Sequence, residues 1–525
     1  MHRITECEPL KTLDDVLSWD DKSDWSVFVK PLKSTSKYCY ESNSFHCHKR
    51  VRKPIKALRS CVPKTLVCHD MKGGYLDDRF VNGTKYKDQY LFYHWPAIDT
   101  FVYFSHYFIT IPPLMWINAA HFHGVEILGT VITEFNEGKK IWDQLLTNDD
   151  MMESFISKLV SICKHYNFDG YLMNIENSID KPHLPKLITF LEKLKSQLGT
   201  RKVIWYDSVS LTEGTLTWQN ELNKHNKTAF EICDGIFLNY GWKEINLETS
   251  LRNSGGRQLD VYVGIDVFGR GVFGGGGFNT DKAMEVVRSN GLSMALFATG
   301  WTYETQASDD KFFEVERKFW AKLWPHLYIH LLDTLPFKIT FNQGVSHEPF
   351  TSSMLWYNLA NQEYNLPMPS CLSDNFETGC TSHFFDDGVS GGCSVMLNYK
   401  ESETQFHRLL LCDFSCSLEV PLKLTIVSKW PSEYSPFKLI LWVENEIRNY
   451  TIILQVSKDN EPVSADGYDY SSPAGLIKQI NAEKVTKFRD NEWISNEFSL
   501  PFDGKITGID AQLQDTVLIG LLSLE

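Results

Sequence analysis

Asp169-Gly170-Tyr171-Leu172-Met173-Asn174-Ile175-Glu176-Asn177 begins as an apolar run and ends in an amide and a carboxylate two positions apart. Strand side chains alternate, so Asn174 and Glu176 share one face, while Tyr171, Met173 and Ile175 take the other. Apolarity on both faces marks a strand covered on both sides, as in a parallel sheet. Seven similar runs accompany it, at 65–69, 100–106, 125–133, 202–208, 235–242, 261–268 and 293–301. Nearly all finish in polar or aromatic residues, among them His69-Asp70, Ser105-His106, Thr133-Glu134, Tyr206-Asp207, Asn239-Tyr240, Asp266 and Trp301. Helical patterns lie between them. Asp150 with Glu153 reads as a capping box before Phe155, Ile156, Leu159 and Ile162. Leu187, Phe190, Leu191, Leu194 and Leu198 form another apolar face that Gly199 closes, and 309–324 reads as a third helix. Eight strands alternating with helices over about 260 residues fit an α/β fold, a (β/α)8 barrel, with a doubly wound sheet as the alternative. The polar strand ends favour the barrel, because there they converge on one mouth.

Outside this core the pattern changes. Residues 61–334 are assigned to the barrel and 1–60 to a polar, solvated leader that includes the basic stretch 48–53. After 335 come short β-rich runs at 423–427, 437–443, 450–456, 505–513 and 516–524, separated by Pro, Gly, Asn and Asp. That predicts an antiparallel β-sandwich accessory domain over 335–525.

Composition narrows the function. Among 525 residues, 52 Lys and Arg face 66 Asp and Glu, a net charge of −14. Such a balance argues against nucleic acid or an anionic membrane as partner and leaves a neutral sugar open. The 15 Trp, 22 Tyr and 33 Phe exceed what cores need and suit a ligand cleft. Residues 100–125 carry no Asp, Glu, Lys or Arg, yet Pro112 and Pro113 interrupt them, so a strand followed by a Pro-initiated helix is expected rather than a membrane span. The first ten residues place charges where a signal peptide needs an apolar region, and the 12 cysteines are dispersed. Reduced thiols in a cytoplasmic protein are expected, which leaves the sequons at Asn82, Asn226 and Asn449 without a role.

Glu176 at a barrel mouth is a natural general acid, its pKa tuned upward by burial; the plain alternative is an ion pair at the rim. Its same-face neighbour is an amide, which does not attack a sugar carbon but can hold a 2-acetamido group. If the substrate's own acetamide oxygen is the nucleophile, a second carboxylate is unnecessary. Tyr206, ending the next strand, can donate a hydrogen bond to the same group. Trp95, Trp218, Trp242 and Trp301, read as lying at or just beyond strand ends, are candidate stacking surfaces for sugar rings, with core packing the competing use. Glu134, Asn239 and Asp266 are candidate partners of sugar hydroxyls, with a place at the rim or behind the site the equal alternative.

Three other motifs carry little. Gly269-Arg270-Gly271-Val272-Phe273-Gly274 matches a dinucleotide fingerprint, but more glycines follow where a helix should open, so a cleft loop is expected. His121 and His123, two apart on a helix, point to different sides. Cys412 and Cys416, with Cys380 and Cys393, lack zinc-ribbon spacing and read as buried thiols.

The motifs Val67-Cys-His69-Asp-Met-Lys-Gly-Gly-Tyr75, His94-Trp95-Pro-Ala-Ile-Asp99, Ile127-Leu-Gly-Thr-Val-Ile-Thr-Glu134, Asn174-Ile-Glu176-Asn177 and Ala295-Leu-Phe-Ala-Thr-Gly-Trp301-Thr-Tyr-Glu304 together resemble endo-β-N-acetylglucosaminidases of glycoside hydrolase family 85. They span roughly 60–345, with 337–344 a weaker match. The resemblance implies hydrolysis of the GlcNAc-β-1,4-GlcNAc bond in the core of N-linked glycans, on glycoproteins, glycopeptides or free oligosaccharides, with retention through an oxazoline. It implies Glu176 as general acid/base, Asn174 as the orienting amide and Tyr206 as the assisting tyrosine, and it favours Trp218 and Trp242 as sugar contacts. The oxazoline is also open to a sugar acceptor, giving transglycosylation. No metal or organic cofactor is required. Thr299 stands where the family leads one to expect proline, and Phe135 where it leads one to expect tryptophan. Two other readings are weighed: a two-carboxylate retaining glycosidase with Glu134 or Asp266 as nucleophile, and a catalytically inactive glycan-binding lectin on a barrel scaffold.

Overall fold

All eight apolar runs form strands: β1 (Thr65–Asp70), β2 (Thr100–Phe104), β3 (Glu126–Glu134), β4 (Gly170–Glu176), β5 (Lys202–Tyr206), β6 (Gly235–Leu238), β7 (Val261–Asp266) and β8 (Ser293–Phe297). The computed structural model describes residues 6–25, 28–41, 56–85, 90–305, 312–347, 355–363, 381–384, 387–389, 393–399, 406–431, 435–446, 449–459, 477–488 and 492–525. The basic stretch 48–53 and the start of the helix expected at 309 lie outside them. Each barrel strand pairs in parallel with its neighbours, and the ring closes where β8 meets β1 (Met294 opposite Thr65) and β2 meets β3 (Thr100 opposite Glu126). That closure is the barrel and excludes the open doubly wound sheet.

Several of the apolar runs extend beyond the strands they contain. Pairing stops at Tyr206, Leu238, Asp266 and Phe297, but the chain beyond keeps single bonds to neighbours, such as Asp207 N to Phe237 O (2.9 Å) and Val267 N to Phe297 O (3.0 Å). These short extensions form the mouth. Alternate strand residues fill the interior, where Leu66, Val102, Leu128, Leu172, Ile204, Phe237 and Tyr262 pack as one cluster. The N-terminal end is closed by charges. Lys202 pairs with Glu126, and Lys64 with Asp260 at 3.0 Å. Burial works against the Lys202 ammonium, but the Glu126 carboxylate beside it holds its pKa above the ordinary value.

The uncharged segment 100–125 becomes β2, a two-residue strand Ile109–Thr110 antiparallel to β3, and the nine-residue helix Leu114–Phe122, which starts after Pro113. Among the described residues no helix is long and apolar enough to cross a membrane. The helix read as starting at Asp150 is Asp149–Tyr166. Its cap is Asn148, whose side chain accepts from Met151 N at 3.1 Å, because the preceding helix ends at Thr147 and leaves one residue to turn the chain. Leu184–Leu198 ends at Gly199, whose φ of +64° needs glycine.

By contact the chain divides into Met1–Lys33 with Ala57–Tyr328, and Ser34–Lys56 with Ile329–Glu525. The residues read as a leader therefore fall in both units. Cys7, Leu13, Val16 and Trp25 are buried in the first. In the second, the strand Thr35–Glu41 joins a sheet that includes Phe406–Cys416, Gly504–Gln512, Phe437–Glu444 and Asn449–Val456. Ser36 Oγ donates to Asp413 (2.8 Å), and Lys56 pairs with the same carboxylate at 3.1 Å. A second sheet centres on Leu422–Lys429 between Trp493–Leu500 and Val517–Leu524, both antiparallel to it. The two mainly antiparallel sheets are the expected C-terminal β-sandwich.

Candidate active site

In the parallel ladder between β3 and β4, Glu134 lies opposite Glu176 and Ile132 opposite Asn174. Leu172, Asn174 and Glu176 face the interior, where a pocket of about 120 Å³ opens at the C-terminal ends of the strands. Cys68, Phe104, Glu134, Asn174, Glu176, Tyr206, Tyr240 and Phe297 line it, with His106 at its edge.

Asn174 is buried, and its Oδ1 has no hydrogen-bond partner. A buried acceptor left empty costs about 1–3 kcal/mol, so its presence in a pocket marks a place for a donor. The other end of the amide hydrogen-bonds the Glu176 carboxyl. Burial, and then the negative charge of Glu134, hold the Glu176 pKa above the ordinary carboxylate value, against that hydrogen bond and the charge of His106. His106 Nδ1 stands 3.4 Å from Glu134 Oε2, and this hydrogen bond raises the imidazole pKa. Tyr206 donates its hydroxyl proton to Asn239 Oδ1 at 2.9 Å. Burial, with the Glu176 carboxylate nearby, pushes the phenol pKa well up, against a hydrogen bond from Tyr240, so Tyr206 is neutral.

The structure thus brings together Glu176, Asn174, Tyr206, Glu134 and, behind Tyr206, Asn239. The tryptophans are dispersed. Trp95 lies in a turn ahead of β2, not at a strand end; it is fully buried against Phe92 and Phe101 (ring centres 4.8 and 5.0 Å) and belongs to the core. Trp242 is buried, donates Nε1 to Gly264 O at 2.7 Å and stacks on Phe273. Trp301 is half-buried, edge-on to Phe278 at 5.2 Å. Trp218 is 41% exposed, on the loop after β5. Asp266 holds the guanidinium of Arg270 with both oxygens (2.7 and 3.0 Å) and is not among the residues that line the pocket.

Phenylalanine and tyrosine line the pocket instead: Tyr240 stands among the strand ends noted in the sequence but not among the candidate site residues, and Phe104 and Phe297 stand in neither group. Phe104 and Phe297 end β2 and β8 on the inward face, and Tyr240 follows β6. The strand-end rule that pointed to Glu176 applies equally to them, but an aromatic in an apolar run does not stand out.

The discounted motifs behave as ordinary structure. From Gly269 the chain turns back, with Gly277 N bonding Val267 O at 2.7 Å, and after two short 3-10 turns the next α-helix opens only at Thr280. A Cβ at Gly269 would lie 2.0 Å from Gly275 O, so that glycine is required by the close approach. His121 bonds Lys30 O and Asp169, and His123 bonds Ala119 O. Cys393 and Cys412 are buried free thiols and Cys416 is partly exposed; Cys380 lies outside the described residues. Among the described residues one acidic group, Asp143, Asp180 and His183, has ligand-like spacing, but the Lys139 ammonium already lies 3.0 and 2.8 Å from its two carboxylates.

The chain is similar to several known proteins. The chain is 43% identical over 366 residues to the human cytosolic endo-β-N-acetylglucosaminidase, covering 67% of this chain and 46% of that one. The zebrafish (Danio rerio) protein of the same name is 41% identical over 404 residues, covering 74% and 53%. This chain spans about half the length of the curated relatives it matches. In fold it is similar to the crystal structure of the glycoside hydrolase domain of Endo-D from Streptococcus pneumoniae, at a TM-score of 0.71 and 16% identity over 99% of this chain and 83% of that one. The family model for glycosyl hydrolase family 85 matches residues 75–384, and the chain belongs to that family.

Proposed function

We propose that this chain is an endo-β-N-acetylglucosaminidase that cleaves the GlcNAc-β-1,4-GlcNAc bond of N-linked glycans, leaving one GlcNAc on the protein or peptide. Family membership supports the reaction class, and the names of the relatives support the bond and a cytosolic setting. The observation that carries the mechanism is the empty Asn174 Oδ1 beside a carboxyl held above its ordinary pKa.

In this reading the acetamide N–H of the GlcNAc donates to Asn174 Oδ1, which turns the acetamide oxygen toward C1. Glu176 gives its proton to the glycosidic oxygen as the C1–O bond breaks and the acetamide oxygen bonds C1, forming the oxazoline in its protonated, oxazolinium form with the N–H still donated to Asn174. The Glu176 carboxylate then takes a proton from water as the water oxygen attacks C1 and opens the ring. Two displacements at C1 return the original configuration. Tyr206, neutral and fixed at the pocket wall, bounds the acetamide site. A sugar hydroxyl in place of water gives transglycosylation. Substrates are N-glycans on glycoproteins and glycopeptides, and free oligosaccharides with the same core.

The deciding experiment is mass analysis of a high-mannose glycoprotein after incubation with the chain near neutral pH. Expected products are a protein with one GlcNAc per occupied asparagine and a free glycan ending in the other. Binding without release, on native and denatured substrate alike, would favour the lectin. The in-register Glu134 keeps a two-carboxylate route in view; turnover of an analogue lacking the acetamide would favour it.

A further inference from the structure

Three residues behind Tyr206 determine which way its hydroxyl proton points. Gly241 N donates to Asn220 Oδ1 at 2.8 Å, and a backbone N–H can only donate, so that end of the Asn220 amide is oxygen. Asn239 meets the same oxygen at 2.7 Å and must present its NH2 there. Its carbonyl oxygen is thereby turned toward Tyr206, which has to donate across the 2.9 Å between them. One backbone N–H thus orders a chain of three side chains.

Asn220 is itself held on several sides. Its N–H donates to Asp207 Oδ2 at 2.7 Å, and its Nδ2 to Trp218 O at 3.3 Å. Its φ is +58°, a left-handed conformation that asparagine tolerates better than most residues. Asp207 follows Tyr206 in sequence, faces the other way, and also accepts from Gln219 N and Asn226 Nδ2. A Cβ at Gly241 would come within 2.9 Å of the Asn220 oxygen, so the approach depends on glycine.

We infer that Asn220 is a positioning residue for the reaction: through Asn239 it fixes the hydrogen-bond direction and the placement of Tyr206 at the pocket wall. This rests on the reading of Tyr206 as the wall of the acetamide site. Without the Asn220 carbonyl, the Asn239 amide is free to turn and offer its NH2 to Tyr206, which then accepts and sends its own proton elsewhere. Asn220 touches no substrate in this scheme.

The test compares release of a high-mannose glycan from a glycopeptide by the unsubstituted chain, Asn220→Gly, Asn220→Asp, Tyr206→Phe and the Gly/Phe double variant. Glycine suits the left-handed backbone and removes only the side chain, and aspartate keeps an accepting oxygen. Asn220→Gly should lower kcat about fivefold to tenfold, the worth of one net hydrogen bond, with KM little changed. Asn220→Asp should recover most of that loss. On the Tyr206→Phe background, Asn220→Gly should cost less than about twofold more. An equal loss on both backgrounds, a change in KM alone, or an aspartate variant as poor as the glycine one would overturn the inference. No turnover by the unsubstituted chain would instead overturn the glycosidase reading, and this inference with it.

Discussion

An acid that must protonate a leaving group near neutral pH has to keep its proton where most carboxyls have lost theirs. At Glu176 burial does most of this, and Glu134 adds to it across the β3–β4 ladder. Glu176→Gln removes the transferable proton and keeps the shape, so turnover of natural glycans should fall by about 10²-fold or more. Near-normal release by that variant would remove Glu176 from the chemistry. Asn174→Ala should behave differently. Losing the acceptor for the acetamide N–H should impair glycan cleavage much more than hydrolysis of a preformed oxazoline, where the new ring already exists. Equal losses on both substrates would rule out an orienting role. Glu134 gives a third prediction. Its negative charge favours protonated Glu176, so Glu134→Gln should lower the Glu176 pKa and move the alkaline limb of kcat/KM to lower pH. An unmoved limb would mean that burial alone sets this acid.

At the scale of the strand, β4 carries the catalytic pair and depends on its first residue. Gly170 has φ +136°, and a Cβ there would lie 1.9 Å from Lys202 O on the adjacent strand. Gly170→Ala should therefore destabilise the barrel by roughly 3 kcal/mol and reduce activity with it, read by urea unfolding and turnover together. Unchanged stability would be incompatible with this backbone. The strands were legible in the sequence for a physical reason: when both faces are buried the run is continuously apolar, and polar residues such as Asn174 and Glu176 stand out within it. Phe104 and Phe297 gave no such contrast, since an inward aromatic at a strand end looks the same in sequence as a core residue. Trp95 lies before β2 rather than beyond a strand end, and a tryptophan in a turn that packs into the core looks the same in sequence as one at the mouth. The strand Thr35–Glu41 was hidden more deeply. One neighbour, Lys56–Leu58, is close in sequence, but the other, Tyr328–Leu332, and the sheet beyond it are hundreds of residues away, and local periodicity carries no information about pairing at that distance.

That strand matters to the molecule as a whole, because the chain does not divide between its units at a single cut. Ser34–Lys56 groups with Ile329–Glu525, although it precedes the barrel. Ser36, Cys39 and Tyr40 are buried there, Ser36 bonded to Asp413 and Tyr40 to Thr507 O. A chain truncated after Tyr328 retains this strand but loses every one of those partners. The edge that meets Tyr328–Leu332 is then left unpaired and two apolar side chains face solvent, a template for association with other copies. Such a truncated chain should show concentration-dependent light scattering. Replacing 34–56 in it by a Gly/Ser linker should relieve that scattering, because the orphaned strand leaves with its segment. A truncated chain that stays monodisperse with 34–56 intact would show that the segment does not need its distant partners. If the relieved form also keeps glycan release, the pocket at the C-terminal ends of β1–β8 works without the sandwich. If it folds but loses release, the sandwich contributes to function beyond shielding that strand.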